Sequence, residues 1–171
     1  MAVVNVALVG FMGAGKTSVG RKLAERLGLA FVDSDLVIAA RAGKSVAEIF
    51  AHEGEAHFRT LERETLELLA HERGLVIATG GGAFVDDRTR RLLLDTAFVV
   101  YLEAPFETIW ARVGGSEERP LIRAGKERVR ELYLKRVPFY RQAHVTVDSG
   151  RPVDEVVKAV EEAYHARARS D

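Results

Sequence analysis

Gly10-Phe11-Met12-Gly13-Ala14-Gly15-Lys16-Thr17 is the stretch that decides the fold. It follows a β-branched apolar run, Val3–Val9, and opens an amphipathic one, Lys16–Leu27, so its G-x-x-x-x-G-K-[ST] spacing falls between a strand and a helix. Glycines without a Cβ let the backbone curl with its N–H groups inward, and the helix adds unpaired N–H groups at its positive end. Such a cradle suits a phosphate chain. Lys16 would bring a charge to the β and γ oxygens of a nucleotide, and the Thr17 hydroxyl a ligand for Mg²⁺. Gly13, Ala14, Gly15, Lys16, Thr17 and Ser18 are therefore candidate nucleotide-binding residues. The bland alternative is a glycine-rich turn that binds nothing; the strand before it and the helix after it argue against that.

Outward from this loop, short apolar runs alternate with longer amphipathic ones, the pattern of an α/β protein with a parallel sheet. Strands are expected at Val3–Val9, Ala30–Asp33, Leu75–Thr79, Ala97–Leu102 and His144–Asp148. The first, third and fourth are almost wholly apolar, as in strands covered on both faces. Helices are expected at Lys16–Leu27, Leu36–Arg41, Val46–His71, Asp87–Leu94, Phe106–Arg112, Lys126–Gln142 and Val153–Arg167. Gly54 should break the long third helix in two, and Phe58, Leu61, Thr65 and Leu68 should face the core. The polar stretch from Gly114 to Gly125, with two glycines at its start and Pro120 within, reads as a mobile loop.

Composition narrows the classes. With 171 residues, 47% of them hydrophobic, one compact domain over residues 1–171 is expected. Twenty-five basic residues balance 25 acidic ones, so no global field favours nucleic acid or an anionic membrane. The absence of cysteine excludes disulfides, thiolate metal sites and cysteine nucleophiles. No apolar run reaches the roughly 18 residues of a membrane span. A cytoplasmic protein is the expectation.

The loop does not by itself choose among nucleotide-using proteins. A guanine-reading N-K-x-D segment is missing, and the Ala97–Leu102 strand runs into Glu103 rather than a metal-binding aspartate. Asp33-Ser34-Asp35, after the second strand, offers two carboxylates where ligands of open α/β sheets collect. One could hold the hydration shell of Mg²⁺ and the other a substrate hydroxyl; equally, either could cap the following helix.

Four further groups follow in order: Phe58-Arg59, Gly80-Gly81-Gly82 after the third strand, Arg119-Pro120-Leu121, and Arg136-Val137-Pro138-Phe139-Tyr140. With the phosphate loop and Asp33-x-Asp35, this set resembles the shikimate kinase family over essentially the whole chain. The resemblance implies a three-layer P-loop kinase fold, a five-stranded parallel sheet in the order 2-3-1-4-5, and ATP-dependent phosphorylation of the shikimate 3-hydroxyl. It implies a substrate-binding region at about 33–61 and a lid at about 112–124. Arg59 and Arg136 match the family's carboxylate-binding arginines, with Glu62 as a partner for Arg59. Asp35 matches the group that binds the ring hydroxyls, and Asp33 would reach Mg²⁺ through water. Gly80, Gly81 and Gly82 would bring backbone N–H groups to the substrate, unless they form only a tight turn. Arg119 resembles the lid arginine and would act with Lys16 and Asp35 in catalysis. Arg112 and Arg151 would contact the nucleotide. A monomer is the family expectation.

Two other readings stay open at this stage. One is a related kinase for gluconate or a nucleoside monophosphate. The other is a nucleotide-dependent binding protein that has lost catalysis, against which Lys16, Thr17, Asp35 and Arg119 argue.

Overall fold

The computed structural model describes residues 4–116 and 119–170. Five parallel strands, β1 (Asn5–Val9), β2 (Ala30–Asp33), β3 (Leu75–Ala78), β4 (Ala97–Glu103) and β5 (Val145–Asp148), form one sheet in the order β2-β3-β1-β4-β5. β1 lies at its centre, with Val6 opposite Val76 on one side and Phe98 on the other. Val6 to Val9 are wholly buried, which explains why this run carries no polar alternation.

Side chains of β1 alternate between two cores. Val6 and Leu8 pack against α1 (Lys16–Leu27) and α7 (Val153–Ala168) through Val19, Leu23, Val156 and Val160. Ala7 and Val9 face α4 (Asp87–Thr96), α5 (Phe106–Val113) and α6 (Lys126–Tyr140) through Leu93, Ile109, Val137 and Tyr140. A small separate cluster, Ile38, Ile49 and Phe58, joins α2 (Ser34–Ala42) to α3 (Val46–His71). Among the described residues, no helix is long and apolar enough to cross a membrane.

The expected elements are all present, with shifted ends. Val3 lies outside the described residues. α2 begins two residues earlier than expected because Asp33 caps it, its Oδ1 accepting from Asp35 N (2.9 Å) and Leu36 N (3.3 Å). Gly54 does interrupt α3, with φ 86° and ψ 168°. The buried face of α3 differs from expectation. Phe58 and Thr65 point inward, but Leu68 is 56% exposed, and Glu62 and Leu66 take the core positions. Apolar periodicity missed this face because one of its members is a carboxylate.

Two short 3₁₀ turns were not expected, Ala83–Val85 and Ile122–Ala124. The second lies within the polar Gly114–Gly125 stretch and buries Ile122 in the core that α5 and α6 share. That stretch therefore has an apolar anchor. Its Glu117 and Glu118 lie outside the described residues.

Candidate active site

The carboxyl ends of the strands open into one cleft of about 880 Å³. The loop after β1, the start of α2, α3, the turn after β3, the segment around Arg119 and α6 all contribute to its wall. The candidate binding and catalytic residues named from sequence all line it: Gly13 to Ser18, Asp33, Asp35, Arg59, Gly80 to Gly82, Arg112, Arg119, Arg136 and Arg151.

One half is built from main chain. Gly13 has φ 75°, and a Cβ there would stand 2.7 Å from Val113 Cγ1, so only glycine fits this turn. Gly15, with φ 98°, leads directly into α1, whose first N–H groups face the cleft without a side-chain cap. The Lys16 ammonium folds back over the loop, donating to Gly10 O and, at 3.1 Å, to Phe11 O. Burial lowers its pKa to about 8; Asp35 opposes that, while Arg136 and Arg119 add to it. Arg112 fixes the loop from outside, donating from Nη1 to Gly13 O and from Nη2 to Ser149 O, both at 2.9 Å. Its guanidinium thus ties the loop to the end of β5, a role that sequence did not indicate. Arg151 lies on the same wall, with Nε 3.4 Å from Asp148 O.

The other half is built from charged side chains. Arg59 Nη1 donates to Glu62 Oε1 at 2.8 Å, and Nη2 lies 3.4 Å from Glu55 Oε1. Glu62 is 2% exposed. Its other oxygen, Oε2, is buried with no hydrogen-bond partner, and so is Asp35 Oδ1. An unmet buried acceptor costs about 1–3 kcal/mol, a cost that an arriving hydroxyl would remove. Both carboxyls are raised above the usual carboxylate range. Burial is the main cause for each; Asp33 adds to the shift at Asp35, while Arg59 opposes both shifts.

The three glycines explain how these charges fit. None has a positive φ, so the backbone does not require glycine there. Space does. A Cβ on Gly80 would lie 2.8 Å from Asp35 Oδ1 and 3.0 Å from Glu62 Oε2. On Gly81 it would lie 3.1 Å from Arg136 Nη1, and on Gly82 it would overlap the Arg59 guanidinium. The turn thus lets two carboxylates and two arginines converge. Arg136 also lies over the Phe11 ring, 5.8 Å from its centroid, bringing the charged half of the cleft against the glycine-rich loop.

Asp33, Thr17 and Lys16 all line the cleft. Among the described residues no cluster of three His, Cys, Asp or Glu could hold a metal by itself.

The chain is similar to known proteins over most of its length. Residues 12–165 match the family model described as shikimate kinase. A shikimate kinase from Aromatoleum aromaticum is 48% identical, over 85% of each chain. One from Symbiobacterium thermophilum is 46% identical over 95% of this chain and 97% of its own. The solved structure of shikimate kinase from Acinetobacter baumannii in complex with shikimate is 38% identical, with a TM-score of 0.92 over 96% of this chain and 94% of that one.

Proposed function

The chain belongs to the shikimate kinase family, and on that premise we propose that it transfers the γ-phosphoryl of ATP to the 3-hydroxyl of shikimate, giving shikimate 3-phosphate and ADP. The observation that carries this reading is the turn Gly80–Gly82, around which two arginines and two unmet carboxylate oxygens face a phosphate cradle. A small hydroxylated acid matches that set: its carboxylate meets Arg59 and Arg136, and its hydroxyls meet Asp35 and Glu62.

The nucleotide would lie with its phosphates on Gly13 to Ser18 and its base towards Arg112 and Arg151. Lys16 would leave its carbonyl partners, Gly10 and Phe11, for the phosphate oxygens; bonds to those neutral acceptors are weaker than contacts with a charged phosphate. Asp35 holds the 3-hydroxyl in line with the phosphoryl and accepts its proton as the O–P bond forms. In a loose transition state this positioning matters more than basicity. Arg119, exposed on its segment and close enough to influence Lys16, would close over the transferring group and meet its charge.

The residues present suit Mg²⁺. Thr17 offers one hydroxyl; Asp33 offers a carboxylate, one oxygen of which already caps α2. Mg²⁺ keeps several waters and takes its remaining ligands from phosphates, so it needs few from the protein. When bound it would neutralise charge on the β and γ oxygens. ATP as the donor supports a cytoplasmic site of action. The cleft is complete within one chain, which supports a monomer acting on small molecules, with neither nucleic acid nor membrane required.

A coupled assay of ADP release tests the reading. Shikimate should be turned over, with gluconate and nucleoside monophosphates inert. An enzyme inactive on shikimate but active on either of the others would overturn it.

A further inference from the structure

Tyr140, the last residue of α6, is wholly buried and packed against Tyr101 in a tilted pair with ring centroids 5.1 Å apart. Phenylalanine would serve that packing equally well. The hydroxyl, however, donates to the carbonyl of Gly81, in the turn that gives the acceptor half its space. One helical turn earlier stands Arg136, whose Nη1 approaches the same Gly81 from the cleft side, 3.1 Å from where a Cβ would be. Gly81 is thus held between an arginine and a tyrosine of one helix.

A peptide unit is planar and trans, so pinning the Gly81 carbonyl also fixes the direction of the Gly82 N–H. Arg136, on the other side of the same residue, stands against that peptide. We propose that Tyr140 is a positioning residue for the acceptor half: its hydroxyl orients the Gly81–Gly82 peptide, and through it the space in which the Arg136 guanidinium sits. The inference rests on the reading of Arg136 as a partner of the acceptor's carboxylate. It concerns a residue outside the lining of the cleft.

Tyr140→Phe removes one oxygen and keeps the ring. Its KM for shikimate should rise about tenfold, the effect of losing one well-placed hydrogen bond. Its KM for ATP should stay within about twofold, which also certifies that the fold is intact. Tyr133→Phe is the matched control. Its hydroxyl is also buried and donates to a carbonyl, Ala104 O at 2.9 Å, away from the glycine turn. It should lower Tm to a similar extent and move neither KM. The proposal is overturned if Tyr140→Phe lowers Tm while the shikimate KM stays within about twofold of wild type, or if both KM values rise together. A wild-type enzyme inactive on shikimate would remove the underlying reading, an outcome separable from either of these.

Discussion

The two halves of the cleft solve opposite problems by opposite means. In the proposed reading the phosphate half would meet a strong, diffuse anion with neutral main chain, helix N–H groups and one lysine. The acceptor half would meet a small ligand with a single charge and several hydroxyls. It would do so with buried ionic side chains, two of whose oxygens have no partner. Main-chain dipoles carry no net charge and need no counter-ion, so the first half can stand open to water. Buried charges must be paired, so the second half is a network whose members depend on one another. Removing one member should therefore do different damage on the two sides.

Lys16→Met should have the largest effect. It leaves the glycine cradle in place and deletes the one cation that the loop carries, so kcat should fall on the order of 10³-fold with Tm almost unchanged. Steady-state kinetics with a thermal melt would check it; a large fall in Tm would mean that the cradle depends on its lysine. Arg59→Ala is the counterpart. It should raise the shikimate KM and also destabilise the fold by about 3 kcal/mol, because Glu62 stays buried without its partner. Adding Glu62→Gln should recover most of that stability and none of the affinity. If the double variant melts no higher than the single one, the acceptor half is not the interdependent network described.

Gly82→Ala should have an intermediate effect. Its Cβ would overlap Arg59, a flexible side chain that can withdraw at the expense of its aim. The shikimate KM should rise about tenfold while the ATP KM stays unchanged. Equal changes in the two would show that the turn serves both halves.

The same contrast governs what could be read from sequence. The phosphate loop is contiguous, and its spacing carries its geometry, so its place between strand and helix was plain from Gly10 to Thr17. The acceptor half is assembled from α2, α3, the turn after β3 and α6, and only the family resemblance drew its parts together. Individual motifs hid their reasons. Gly80-Gly81-Gly82 suggested backbone contact with a ligand, yet its Cβ positions are where Asp35, Glu62, Arg136 and Arg59 crowd in. Asp33 did not have to choose between capping α2 and lining the cleft; it does both. Leu68 was expected inside and Glu62 was not, because hydrophobic periodicity assigns no core position to a carboxylate. The bonds of Arg112 to Gly13 and Ser149 link residues far apart in the chain, and no local pattern announces them.

The smallest effect should come from the opposite end of the sheet, where neither half of the cleft is involved. His144 stands just before β5, and its Nδ1 accepts from Val99 N at 2.9 Å, a bond that only the imidazole unprotonated at Nδ1 can make. Its ring stacks on Phe98, over which Arg167 of α7 also lies. Burial, and then the Arg167 charge, lower its pKa below the ordinary 6.5. The unfolded chain therefore binds this proton more readily than the folded one. The stabilising contribution is complete above about pH 6.5, declines as pH falls through the window below it, and levels off once the folded ring is protonated too. His144 is exposed enough for solvent to keep the effect small, but its sign is fixed. His144→Asn keeps an acceptor near the Nδ1 position and removes the titration. Tm measured against pH should therefore fall more steeply on the acid side in the wild type than in this variant, with both KM values for the variant unchanged. If the two acid limbs run parallel, this ring does not carry the pH dependence; if the KM values move as well, the far end of the sheet is not independent of the cleft.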